Sequence, residues 1–220
     1  MSKAYNLLVT MALEKKMDFL CILDQDSMFS SNDIKKSKEY IIENFNKEIG
    51  MYVPEIIYSH KEQPFIQRNE IIVSEECEWA ISSGSFMSLK ACKAVGKFDE
   101  NYFIDRVDYD YCYELRKKHY KILMLRGVYL YQNLGTERKV LGKTYSEHSA
   151  VRHYYMFRNR LYFYWKNRER ESLWVVKITA KSIRHIVDVL LYESDKINKL
   201  IYLKKGLQDF CQRKMGKFQA

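Results

Sequence analysis

Two groups of carboxylates in this chain have the residue types and spacing that phosphoryl or glycosyl transfer needs. In "FLCILDQDSMFS" (residues 19–30) an apolar run passes straight into Asp24-Gln25-Asp26-Ser27. Acids at the carboxyl end of a sheet strand sit where open α/β sheets bind ligands. Hard oxygen donors of this kind suit Mg²⁺ or Mn²⁺. A cation held by Asp24 and Asp26 would neutralise the charge that builds on a departing diphosphate. The plainer alternative is a turn after the strand, with Asp24 and Ser27 capping the next helix. The D-x-D pattern by itself does not choose between the two.

The second group is "YFIDRVDYDYC" (residues 102–112). Here Asp105, Asp108 and Asp110 fall just before and within the first turn of a helix that ends in Arg116-Lys117-Lys118. Acids at the start and bases at the end complement the helix dipole, which is reason enough for the pattern. The same dipole keeps Asp108 ionised, the state a general base requires to take a proton from an alcohol. A metal-holding pair and a separate free carboxylate together make a coherent device for group transfer.

These residues need elements to position them. Residues 3–16 read as a helix with Leu7, Leu8, Met11, Ala12 and Leu13 on its apolar side. "DFLCIL" reads as a short buried strand. Ser31-Asn32-Asp33 starts a helix that continues towards Gly50. "VPEIIYSH", "EIIVS" and "EWAISSGSFMSL" read as strands, the last interrupted at Gly84, and "KACKAVG" as a short helix closed by Gly96. A helix over residues 108–118 precedes strands "YKILML" and "GVYLYQ". Alternating strands and helices over the first 135 residues or so predict an open α/β layer structure. Beyond Ser146 the pattern changes to three helices, about 148–168, 172–192 and 195–215. In the second, Ile183, Ile186, Val187, Leu190 and Leu191 form an apolar stripe beside basic residues. The chain has no glycine-rich phosphate loop, and its first element is a helix rather than a strand.

The formal net charge of +9 is unevenly placed. Residues 151–220 hold 16 Lys/Arg against 6 Asp/Glu, so the basic character belongs to the helical end. Such a tail suits an anionic membrane surface, a nucleic acid or a phosphorylated ligand. Its aromatic–basic helix favours a membrane interface or core packing over base stacking, which leaves nucleic acid the weaker reading. Five scattered cysteines show no metal or disulfide spacing and read as free thiols in a reducing compartment. The five histidines show no paired metal spacing either, and read as satisfied or exposed groups. The first residues lack a secretory pattern, and no apolar run reaches about 18 residues. The expectation is a cytoplasmic protein, soluble or peripheral on the inner face of the cell membrane.

"LDQDS", "ISSGSFMSLKACKAVGKFDENYFIDRVDYDYCYELRKKHYKI", "LG" and "RHYYMFRNR", in this order, resemble the family 2 glycosyltransferases, and most closely their bacterial rhamnosyltransferase-like branch. The resemblance implies an α/β, GT-A-like (Rossmann-like) mixed sheet flanked by helices. It implies a partial catalytic domain over residues 1–145 and a basic amphipathic helical region over 146–220. It also implies an inverting transfer from a nucleotide-sugar donor, dTDP-rhamnose or a UDP-sugar, to a glycan or lipid-linked acceptor. Asp24 and Asp26 then match the Mg²⁺ or Mn²⁺ and diphosphate site, and Asp108 the base. Ser83, Gly84, Ser85, Asp105 and Asp110 fall on the substrate side. Arg152, Tyr154, Tyr155, Arg158 and Asn159 match a motif without an assigned role. The chain departs from the family at Glu114, His119 and Gln132, where arginine, glycine and histidine are usual. The family's N-terminal strand–helix units, which hold the nucleoside, have no counterpart here. The alternative is therefore a catalytically impaired remnant that binds a membrane, a second copy or a partner chain.

Overall fold

The computed structural model describes residues 1–59, 71–133, 137–140, 143–170 and 172–219. His60, the start of "EIIVS" and the "LG" of the resemblance lie outside them. The chain divides into two compact units: Lys3–Asp99 with Asp108–Leu134, and Met1–Ser2 with Glu100–Val107 and Gly135–Ala220.

The first unit is built on a mixed sheet. Its strands are β1 (Phe19–Cys21), β2 (Ser27–Phe29), β3 (Ile49–Ser59), β4 (Val73–Glu76), β5 (Phe86–Ser88) and β6 (Lys121–Asn133). Its helices are α1 (Ser2–Glu14), α2 (Ser31–Glu43), α3 (Leu89–Val95) and α4 (Val107–Lys117). Strand order is β1-β5-β3-β6-β2, with β4 also on β6. β3 and β6 run parallel, whereas the other pairings are antiparallel. This mixed α/β sheet is GT-A-like, as expected.

β6 is one strand, where the sequence suggested two. Arg126, Gly127 and Val128 are extra residues between the pairs Pro54↔Leu125 and Glu55↔Tyr129. The Glu55 carboxylate supports this irregularity, accepting from Gly127 N–H at 3.0 Å and Arg126 at 2.9 Å. β4 therefore pairs with the first half of β6 and β2 with the second. The core beneath includes Tyr52, Phe86, Leu125, Val128, Ile41 and Ile49, with Met87, Ile122 and Leu130 also buried. At roughly 25 cal/mol per Å² of apolar surface, this burial is what holds the short strands together.

Helix α2 starts at Ser31, as expected, but ends earlier than the pattern towards Gly50 suggested. Ser30 is its N-cap, accepting the Asp33 N–H at 2.9 Å, and the helix stops at Glu43. Neither Asp24 nor Ser27 caps it. The expected strand through "EWAISSGSFMSL" is ordered as β5 only over Phe86–Ser88.

In the second unit, α5 (Ala150–Lys166), α6 (Trp174–Tyr192) and α7 (Lys196–Cys211) match the three expected helices, joined by a hairpin of β7 (Glu137–Val140) and β8 (Lys143–Ser146). Phe157, Leu161, Val189 and Leu203 form their core. Gly206 lets α7 approach α5 closely, since a Cβ there would meet Tyr154 O at 3.0 Å. The apolar stripe on α6 divides. Ile186 packs inward, while Val176, Ile183, Val187 and Leu190 stay exposed beside Lys177, Lys181 and Arg184.

A polar cluster is buried among these helices. His153 Nδ1 and His185 Nε2 share a 2.8 Å hydrogen bond. Glu193 lies 3.3 Å from His153 Nε2 and 2.6 Å from the Lys199 ammonium, which Glu147 also meets at 3.3 Å. Burial, with Arg160, His153 and His148 nearby, pushes His185 down to about 3. His153 is lowered too, mainly by burial, with Glu193 opposing. Both are neutral in the fold near neutral pH. Satisfied or exposed histidines were expected, and this pair is satisfied by its own hydrogen bond; that the two meet was not legible, because 32 residues separate them.

Candidate active site

The site forms in the sheet unit, where the end of β1 meets the segment 82–85. Ile22 and Ser83 make a parallel bridge, and Gly84 N–H donates to Ile22 O at 2.8 Å. Gly84 has φ +73°, and a Cβ on it would meet Leu130 Cδ2 at 2.8 Å and Phe29 at 3.2 Å. Only glycine fits both the backbone and the space. The approach places Ser83 beside the acidic turn: its hydroxyl accepts the Asp24 N–H at 3.0 Å and donates to Ser27 Oγ at 2.8 Å. The turn closes by Ser27 N–H to Asp24 O at 3.1 Å and Asn133 N–H to Asp26 O at 3.0 Å. A turn and a carboxylate site are thus compatible uses of the same residues.

The neighbouring serine serves the other acid. Asp108, in the first turn of α4, accepts through Oδ1 from the Ser82 N–H at 3.1 Å and from the Ser82 hydroxyl. Consecutive serines therefore hold the Asp24 turn and the Asp108 carboxylate. Both acids bear on one further group, the buried hydroxyl of Tyr5 on α1, which interacts with the Asp24 side chain. Burial first, and then the charges of Asp108 and Asp24, raise it far above the usual tyrosine range. Tyr5 thus lies in the field of both Asp24 and Asp108.

Asp24 is itself raised, first by burial and then by the charge of Asp26. A hydrogen bond with the Tyr5 hydroxyl offsets this in part. A pair of carboxylates repelling each other is what a dication relieves. Among the described residues no group of three or more His, Cys, Asp or Glu side chains is arranged to hold a metal. The donor set still fits Mg²⁺ or Mn²⁺, which commonly take one or two carboxylates and complete their shell with water and substrate phosphates.

The remaining expected residues are placed as follows. Ser85 donates to Ile81 O at 2.6 Å and braces the loop. Asp110 lies near Asp108 on α4 but is buried. Asp105 belongs to the helical unit, where burial raises it and Arg106, Arg152 and Arg160 lower it. Asp105 and Arg106 both have left-handed backbone, φ 64° and 66°. Asn159 Nδ2 donates to Ile104 O at 2.7 Å and Asp105 O at 3.2 Å, bracing that conformation. Arg158 donates to Gly216 O at 2.7 Å and Lys214 O at 3.2 Å. The motif left without a role is therefore a buried clamp on two chain segments. Tyr5 and Ser82 were missed by the sequence reading. Ser82 carried a signal, a second serine beside Ser83, whereas Tyr5 on a helix face carried none.

The chain is 31% identical over 226 residues to the dTDP-rhamnosyl transferase RfbF of Shigella flexneri, covering 94% of this chain and 72% of that one. No family model matches the chain.

Proposed function

Since the chain belongs to the rhamnosyltransferase-like glycosyltransferases, we propose that it transfers a sugar, rhamnose from dTDP-rhamnose, to a polysaccharide or lipid-linked acceptor with inversion at the anomeric carbon. The observation that supports this best is that neighbouring serines bind the two acidic positions, Ser82 the Asp108 carboxylate and Ser83 the Asp24 backbone N–H. Mg²⁺ or Mn²⁺ on Asp24 and Asp26 would supply charge neutralisation for the nucleoside diphosphate leaving group. Asp108 takes the proton of the acceptor hydroxyl as that oxygen bonds to the anomeric carbon and the carbon–diphosphate bond breaks on the opposite face. A positioned base of this kind contributes about 10²–10⁴ in rate. Ser82 holds and orients the carboxylate.

No helix among the described residues is long and apolar enough to cross a membrane. The exposed α6 stripe flanked by Lys177, Lys181 and Arg184 suits a helix lying on an anionic bilayer, near a lipid-linked acceptor. Co-sedimentation with phosphatidylglycerol vesicles, lost in Ile183→Asp/Val187→Asp, is the expected result; binding unchanged by that pair removes the membrane role.

The main test is a transfer assay with dTDP-rhamnose and Mn²⁺, wild type against Asp108→Asn. Turnover that falls by 10² or more is expected. Equal rates in both proteins would end the assignment of the base. No turnover together with retained glycan binding would favour a non-catalytic binding module, the reading that Glu114 and Gln132 support.

A further inference from the structure

A cavity of about 280 Å³ lies in the sheet unit, lined among others by Ile56, Tyr58, Trp79, Ile81, Tyr109 and Met124. Ligand pockets commonly span about 300–1,000 Å³, so this one suits a single ring and is small for a nucleoside diphosphate. Among the described residues its lining side chains are uncharged. Tyr58 is 53% exposed and Tyr109 45%, so two aromatic rings stand largely in water at its rim.

Tyr109 is held against Trp79 before any ligand arrives. Trp79 and Tyr109 have centroids 5.0 Å apart at 35°. The Arg116 guanidinium lies 4.3 Å from the Trp79 ring and 3.8 Å from Glu78. Preorganisation of this kind reduces the ordering cost of binding. The cavity also borders the base through the chain: Tyr109 follows Asp108, and Ile81 precedes the Ser82 that holds it.

We infer that this cavity is an acceptor subsite that takes one pyranose ring of a glycan against Tyr109, Tyr58 and Trp79, beside Asp108. A pyranose offers faces of weakly positive C–H bonds, which pack on the negative faces of aromatic rings. Its hydroxyls stay at the rim, within reach of tyrosine hydroxyls and water. The ring next to a base is the one that gives up a proton, so the acceptor rather than the donor sugar belongs here. The inference rests on Asp108 being the base of the proposed transfer.

The experiment is saturation-transfer NMR on the full chain without donor, using the methyl pyranosides of rhamnose, glucose and N-acetylglucosamine as probes. At least one should bind, and Tyr109→Ala and Tyr58→Ala should each weaken it about tenfold, as expected for one lost ring contact of ~1.4 kcal/mol. Both side chains are half exposed, and unchanged thermal melting would show that the variants fold. Binding insensitive to both variants, or no binding by any probe, overturns the inference. So does competition by dTDP-rhamnose for the Tyr109-dependent signal, which would make this the donor-sugar position. Tyr109-dependent binding without transfer would leave the subsite standing and remove the enzyme reading. Transfer whose acceptor KM ignores Tyr109 would do the reverse.

Discussion

Ser82 holds Asp108 twice, through its backbone N–H at 3.1 Å and through its hydroxyl, both on the same carboxylate oxygen. Hydrogen bonds to the charged form of an acid favour that form. Ser82→Ala removes one of the two. We expect kcat to fall about tenfold, since hydrogen bonds to charged groups contribute roughly 1.5–3 kcal/mol. The acid limb of the kcat–pH profile should move to higher pH, because the carboxylate then ionises less readily. A merely structural role for Ser82 would leave that limb in place.

Asp24 is raised by burial and by the charge of Asp26. Asp26→Asn should let the Asp24 pKa fall, as read by NMR titration of its carboxyl carbon. The same variant should weaken Mn²⁺ binding at least about tenfold in calorimetry with dTDP present, one carboxylate being lost from a two-carboxylate site. Chelation of the metal should abolish turnover in the wild type. Turnover that persists in excess EDTA would remove the metal from the mechanism.

Gly84 joins left-handed backbone to a 2.8 Å approach from Leu130. Gly84→Ala should cost about 1–3 kcal/mol of stability in urea unfolding. It should also disturb both acids, because the segment it anchors carries Ser82 and Ser83. A variant with wild-type stability would show that the close packing at Leu130 yields easily.

The His153–His185 pair makes the helical unit acid-sensitive. His185 is pushed from 6.5 down to about 3, so its neutral form is favoured by the fold. Below pH 6.5 the unfolded chain binds a proton that the folded chain refuses. Stability is therefore full above pH 6.5 and lost as pH falls towards 3, by at most about 1.4 kcal/mol per unit for each histidine. Glu193 and Lys199, with Arg160 and His148, set the field around the pair. His185→Phe should flatten the dependence of the melting temperature on pH between 4 and 6.5. An unchanged slope would place the acid sensitivity elsewhere.

Much of the frame was legible in the sequence because it follows from local rules. Apolar periodicity placed α1, α4 and the three C-terminal helices within a few residues, and Gly96 closed α3 where expected. Apolar runs located β1 and β6, although the three residues of β1 are only half-buried rather than buried as expected. The short strands were harder. β2 has only three residues and is a strand because β6 lies beside it, so nothing within "SMF" announces it. Cutting β5 to Phe86–Ser88 was likewise decided by where β3 offers a partner.

The sequence by itself determined which chemistry was available: Asp24, Asp26 and Asp108 could be named because carboxylates at a strand end and at a helix start are local patterns. Only the tertiary structure decided what surrounds them. Ser82 reaches Asp108, Tyr5 reaches Asp24 and Trp79 reaches Tyr109 from distant parts of the chain, and such contacts leave no periodicity to read. Local propensity acts on neighbours in sequence, whereas a site is made by neighbours in space.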